Sequence, residues 1–166
     1  HKHRRRQRQM CIRDRELGPP PVPYCFLALG SMGRDEQLLV TDQDNAIILD
    51  DTYKAEKHGK YFEALAKFVS DGLDACGYKY CTGDIMATNP MWRMTRSEWE
   101  ACFADWIDDP NPKALLNASI FFDLDGVYGR LKWAEQLTSF IVRRARKNNR
   151  FLACLARNAL NPVSYT

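Results

Sequence analysis

The sequence predicts an α+β fold: a mixed sheet flanked by helices, followed by a partial helical bundle. Three observations lead there. The runs Tyr24 to Leu29 and Asp44 to Leu49 are apolar at successive positions, as strands buried on both faces are. Between Tyr61 and Cys76 apolar residues recur at three- and four-residue steps, the signature of an amphipathic helix. Beyond residue 111 the pattern turns almost wholly helical.

The elements follow in order. After the proline-rich stretch "LGPPPVPY", the strand beginning at Tyr24 stops at Gly30, and Ser31 is placed to cap a short helix running to about Leu39. The next strand, Asp44 to Leu49, is apolar on both faces after its first two residues, so helices should cover both sides of the sheet. Tyr61, Phe62, Leu65, Phe68, Val69, Leu73 and Cys76 form one helical stripe, which Gly77 closes as a C-cap. "CTGDIMATNP" reads as a short strand or extended segment ended by Asn-Pro. Thr95 and Glu98 form a capping box, followed by Trp99, Cys102, Phe103, Trp106 and Ile107 on one helical face and stopped by "DDP".

Asn111-Pro112 then opens a helix through about Phe122, "DGVYG" reads as a turn, and two more helices are expected around Leu131 to Arg146 and Phe151 to Leu160. The expected organisation is a core over residues 16–110 and the start of a helical domain over 111–161. Leu137, Phe140, Ile141, Phe151, Leu152 and Leu155 need apolar partners, and the chain after them is too short for a full bundle, so that domain is expected to be truncated. Residues 1–15 and 162–166 are expected to be non-native tails, the first of them disordered, because "QMCIRDR" and "PVSYT" look like translated adapter sequence.

Charge narrows the function classes. The net +3 of the 166 residues comes from the first 15, where seven Lys/Arg face one Asp; the remaining residues sum to −3. A basic nucleic-acid-binding argument would rest on that tail alone, and no nucleic-acid partner is expected. No apolar run approaches the length of a bilayer span, so no membrane partner is expected and the cytoplasm is the expected compartment. The six cysteines contain no Cys-x-x-Cys pair, which argues against structural zinc and for buried free thiols.

The chemistry concentrates in "LALGSMGRDEQLLVTDQDNAIILDD", residues 27–51. Gly30 lets a ligand approach the backbone, and Ser31 sets a hydroxyl beside the unpaired amides of a helix start, which suits phosphate oxygens. Arg34, one helical turn on, is placed to reach the same anion. Asp42 and Asp44 stand at i and i+2, so on an extended chain both carboxylates point the same way, as divalent ions bridging protein and triphosphate require. The glycines lack the Lys-Ser/Thr of a P-loop and the spacing of a dinucleotide fold. An EF-hand fails because Ile47 and Tyr53 fill its glycine and glutamate positions. For a lone Asp-x-Asp a turn and cap would be the better reading; the Gly-Ser and the apolar strand beside it favour a site.

Gly30-Ser31 with Gly33-Arg34, followed by Asp42-Gln43-Asp44-Asn45, resembles the DNA-polymerase-beta-like nucleotidyltransferase superfamily. More narrowly the chain is similar to the nucleotidyltransferase domain of bacterial signalling proteins that carry CBS or cyclic-nucleotide-binding modules, a relative of the nitrogen-signalling uridylyltransferase. "GYKYCTGDIMATNPMWR", "EWEACFADWI" and "SIFFDLDGVYG" extend the resemblance over roughly residues 20 to 160.

The resemblance implies an α/β-type nucleotidyltransferase core and a helical substrate-binding domain. It implies that Gly30 and Ser31, with Gly33 and Arg34, hold the nucleotide phosphates and that Asp42 and Asp44 bind two magnesium ions. A third catalytic and metal-binding carboxylate is expected on a later strand, with Asp84 as the candidate and a turn cap beside Gly83 as its alternative. The implied reaction moves a nucleoside monophosphate from a nucleoside triphosphate to an acceptor, expected to be a regulatory protein; the alternative is a nucleotide sensor without turnover. CBS or cyclic-nucleotide-binding modules are the implied neighbours. Arg93 is open to contact with phosphate or acceptor, or to pairing with Glu36 or Glu98. Asp125 departs from the family pattern, where many relatives carry an arginine. Trp99 and Trp106 are better read as core than as a base-stacking platform with Trp92, and Arg143, Arg144, Arg146, Lys147 and Arg150 as a solvated helix end.

Overall fold

The computed structural model describes residues 17–30 and 42–160, with side chains through residue 157. The helix expected from Ser31 to about Leu39 lies outside the described residues. The strands are β1 (Tyr24–Ala28), β2 (Asp42–Gln43), β3 (Asn45–Leu49), β4 (Lys79–Tyr80), β5 (Arg93–Thr95) and β6 (Asp125–Gly129). The helices are α1 (Ala55–Ala75), α2 (Arg96–Asp108), α3 (Pro112–Phe121), α4 (Leu131–Ala145) and α5 (Asn149–Leu160). Four strands form a mixed sheet in the order β5-β3-β1-β6, with β1 antiparallel to β3 and β6, and β3 parallel to β5. The parallel pair β2-β4 stands apart. This is the α+β core flanked by helices that the sequence predicts.

Every residue of β1 and β3 is buried, because the pleat sends alternate side chains into two separate cores. Tyr24, Phe26, Ala28, Ile47 and Leu49 meet Phe62, Leu65, Ala66, Val69 and Leu73 of α1. Cys25, Leu27, Ala46 and Ile48 meet the aromatic residues of α2 and α3 and the small and branched residues of α4. Trp99 is fully buried there, and its indole N–H donates to the Ile47 carbonyl at 3.0 Å, so its polar edge is satisfied. Trp92, Trp99 and Trp106 all belong to this core. Burial pushes the Cys25 thiol up to about 12, as expected of a packing cysteine.

The helix ends obey the sequence signals. Gly77 takes φ +95°, its N–H donates to Asp74 O at 2.9 Å and the Tyr78 N–H to Leu73 O at 3.0 Å, the paired bonds of a Schellman cap. The Thr95–Glu98 capping box is present on α2, and Asn111 caps α3 by accepting from the Ala114 N–H at 2.9 Å. Arg144 pairs with Asp108, and the other cations at that end of α4 are exposed or half-exposed.

Two local expectations are corrected. "DGVYG" is not a turn but the edge strand β6. Its Asp-Gly and closing Gly read as turn residues, yet pairing with β1 decides the conformation, and Val127 is added opposite β1 as a register shift. Glycine at 126 is there for closeness, since a Cβ would sit 3.1 Å from that of Ala134 on α4. The strand expected in "CTGDIMATNP" falls earlier, at Lys79–Tyr80, leaving Cys81 to Asn89 as irregular chain. Most of the apolar residues that seemed to want partners find them within the chain: Leu137, Ile141 and Phe151 are buried, Phe140 and Leu155 half-buried, and Leu152 is 40% exposed.

Candidate functional site

"DQDN" supplies the site's foundation through strand alternation. Gln43 and Asn45 point inward, 0% and 1% exposed, while Asp42 and Asp44, which alternate with them, are exposed and half-exposed. Each inward amide is tied down. Gln43 Nε2 donates to Ser70 O and Tyr78 O, both at 3.0 Å, which fixes the strand to the end of α1. Asn45 Oδ1 accepts from the Ala87 N–H at 2.8 Å, and its Nδ2 reaches Gln43 Oε1 at 3.4 Å. The backbone around Asp44 is held on both sides, by Leu29 N–H to Asp44 O at 3.0 Å and Asn45 N–H to Ile85 O at 3.1 Å. Asp44 thus sits between the end of β1 and the 81–89 loop.

Gly30 lies against this carboxylate. Its φ is +53°, and a Cβ there would be 3.5 Å from Asp44 Oδ2. Ser31, Gly33 and Arg34 lie outside the described residues.

Asp42, Asp44 and Asp84 line one open cleft of about 540 Å³ together with Cys81, Asn89, Met91, Trp92 and residues of α3. Desolvation lifts the Asp44 carboxyl above the ordinary carboxylate range; the Cys81 thiol donates to it and opposes the rise, and the negative charge of Asp42 reinforces it. A half-buried carboxylate repelled by its neighbour is a place where a cation would be stabilised. The donors are hard oxygens, and magnesium is commonly held by one or two carboxylates with substrate phosphates and water completing its shell. The Asp42–Asp44 pair fits that requirement.

Asp84 is brought to the same cleft but from a turn, not a strand. It adopts φ +55° after a turn closed by its N–H to Cys81 O at 3.1 Å, a conformation aspartate tolerates better than most residues. Its carboxylate accepts from Asn89 Nδ2 at 2.9 Å, and its carbonyl accepts from Trp92 Nε1 at 3.0 Å. Among the described residues no three His, Cys, Asp or Glu side chains are gathered closely enough to hold a metal together. Asp84 therefore lines the same cleft as the pair without the three closing into one cluster.

Arg93 does not line the cleft. Its guanidinium donates to Ala87 O at 2.7 Å and Thr88 O at 2.9 Å, clamping the loop from behind, while burial lowers its pKa. Asp125 lines a different hollow, with Leu131 and Glu135.

The sequence reading missed Gln43, Asn45 and Asn89 as supports. The signal was available for the first two: in a strand whose alternate residues are exposed carboxylates, the intervening amides must be buried and must find partners. Asn45→Ala is expected to cost about 2 kcal/mol of unfolding free energy, because the Ala87 N–H loses its buried acceptor. Urea denaturation checks this.

No curated protein matches the chain. A family model described as putative nucleotidyltransferase DUF294 matches residues 3–113, more than half of the chain. The match spans β1, Gly30, the acidic pair and the 81–89 loop, so the chain belongs to the DUF294 family of putative nucleotidyltransferases.

Proposed function

We propose that the protein transfers a nucleoside monophosphate from a nucleoside triphosphate to an acceptor hydroxyl, in a magnesium-dependent reaction. The observation that carries this reading is the cleft that Asp42, Asp44 and Asp84 line together, with Gly30 against Asp44. In the reaction the acceptor oxygen bonds to the alpha-phosphorus and the bond to pyrophosphate breaks. Asp42 and Asp44 would hold the ions, which when bound neutralise the triphosphate and the charge that develops during displacement. The amides behind them keep both carboxylates aimed at the cleft without rearrangement. Gly30, with Ser31, Gly33 and Arg34, is the proposed phosphate cradle. Asp84 is the proposed third carboxylate, on the side from which the acceptor comes.

The resemblance supports a wider setting: a regulatory protein as acceptor, bacterial signal transduction in the cytoplasm, and CBS or cyclic-nucleotide-binding modules as neighbours. Residues 16–110 are proposed as the transferase core and 111–161 as the start of the substrate-binding part. Among the described residues no helix is long and apolar enough to cross a membrane.

The test is transfer of label from an alpha-labelled triphosphate, with and without magnesium, to candidate acceptors. Metal-dependent label transfer with pyrophosphate release is expected; binding without release would identify a nucleotide sensor instead. Asp84→Gly sharpens the test. Glycine accepts φ +55° freely, so the variant is expected to be no less stable than wild type by thermal melting, while its transfer rate falls at least about tenfold. An undiminished rate would remove Asp84 from the mechanism.

A further inference from the structure

The turn that carries Asp84 is held more firmly than an exposed turn requires. The Asp84 N–H donates to Cys81 O at 3.1 Å, and its carbonyl accepts the Trp92 indole N–H at 3.0 Å. Trp92 is only 6% exposed and packs against Trp99 and Phe121, so the backbone of an exposed residue is tied to the core. Its φ of +55° would suit glycine better. A carboxylate is kept here against that conformational preference.

Asn89 is the side chain that reaches this carboxylate. Its Nδ2 donates to Asp84 Oδ2 at 2.9 Å, while its Oδ1 accepts from the Met91 N–H at 3.0 Å and caps the short helical turn Pro90–Trp92. The second bond orients the first. A backbone N–H needs an acceptor, so the amide oxygen must face Met91, and the NH₂ group is left for Asp84. The backbone of Asn89 is itself fixed, by its N–H to Met86 O at 2.9 Å and by the Trp92 N–H to its carbonyl at 3.1 Å. Arg93 grips the carbonyls of the two residues before it. Donor and acceptor therefore meet from two immobilised backbones and lose little freedom on bonding. Among the described residues the other carboxylate oxygen, Asp84 Oδ1, takes no hydrogen bond.

Asp84 and Asn89 both line the cleft that Asp42 and Asp44 line. Resting on the reading of this cleft as the nucleotide site, we propose that Asn89 is the positioning residue of Asp84: its amide holds one carboxylate oxygen and leaves the other to a divalent cation. Because no three acidic side chains gather into one cluster among the described residues, Asp84 would share that ion with phosphate oxygens and water, as in magnesium sites of one or two carboxylates. A carboxylate ligand is aimed by whatever bonds its second oxygen, and losing such a partner weakens metal binding by about tenfold to a hundredfold. Asn89 thus has two separable duties, an acceptor that caps a turn and a donor that aims a ligand.

The experiment separates them. Equilibrium binding of alpha,beta-methylene triphosphates of the four common bases is measured at rising free magnesium, and the readout is the magnesium concentration that gives half-maximal binding. It compares the full chain with Asn89→Ser, Asn89→Ala, Asp84→Gly and the double variant Asp84→Gly/Asn89→Ser. Serine still caps the turn but is too short to reach Asp84, whereas alanine loses both bonds. Both Asn89 variants are expected to raise the magnesium requirement about tenfold. The melting temperature without ligand should fall for Asn89→Ala and stay near wild type for Asn89→Ser. Asp84→Gly should raise the requirement at least as much, and adding Asn89→Ser to it should change nothing further, since a residue that acts through Asp84 has no effect once Asp84 is gone. An unchanged requirement in Asn89→Ser, or the same loss with and without Asp84, would overturn the proposal while leaving the cleft as the nucleotide site. Wild-type binding that ignores magnesium, or no binding of any triphosphate, would overturn the reading of the cleft and the proposal with it.

Discussion

Asp44→Asn is expected to cut nucleotidyl transfer about a thousandfold while leaving the protein at least as stable as wild type at neutral pH. The two halves of this expectation have one cause. The Asp44 carboxyl is raised above its ordinary value by desolvation, and Asp42 adds to the rise. A carboxyl raised on folding binds more protons folded than unfolded. Its contribution is present below the ordinary carboxylate value and disappears as pH rises through the raised one, so at neutral pH the charge only costs stability. An amide of the same shape carries no charge to desolvate or repel. With magnesium and triphosphate the ranking should invert. Ligand that binds only the folded form stabilises it, so the wild-type melting temperature should climb and the variant's should stay nearly fixed. A variant that melts well below wild type without ligand, or that keeps its transfer rate, would contradict the assignment of Asp44.

What was legible in the sequence is what neighbouring residues decide. The i, i+2 carboxylates were readable because strand alternation is local, and the two cores on either side of β1 and β3 follow from their unbroken apolar runs. The Schellman end of α1 and the caps of α2 and α3 were readable for the same reason: each is decided by residues within a few positions. What the sequence hid depends on distant pairing. "DGVYG" carries turn chemistry and becomes a strand because β1 offers it a partner a hundred residues away. Arg93 stood as a phosphate contact or half of an ion pair until its guanidinium was found against the carbonyls of Ala87 and Thr88. The contribution of α3 to the cleft was invisible because Leu116 and Ile120 are unremarkable on a helix until that helix is packed along the cleft that Asp42 and Asp44 line.

β6 carries the second large effect. Gly129→Ala is expected to destabilise the protein by about 3–5 kcal/mol, near the upper end for one substitution. Gly129 has φ +87°, and a Cβ there would run into the backbone carbonyl of Tyr24. That oxygen is already committed, accepting from the Arg130 N–H at 2.9 Å. Neither group can swing aside as a side chain would, so β6 must part from β1 at this end, or residue 129 must leave its conformation and break the bond beside it. Gly77→Ala provides the comparison. Gly77 has φ +95° but open space where a Cβ would point, so it should show the left-handed conformational penalty alone, about 1 kcal/mol. Urea denaturation of the two variants separates collision from conformation, and equal losses would show that the contact with Tyr24 is relieved without cost. The consequence extends to the site. Only three residues separate β6 from α3, and Phe121 at the end of α3 packs on Trp92 with ring centroids 4.6 Å apart. Displacing β6 should therefore disturb the part of the cleft that α3 lines, and Gly129→Ala should weaken triphosphate binding even where the protein remains folded, whereas Gly77→Ala, whose Cβ meets no neighbouring atom, should do so much less.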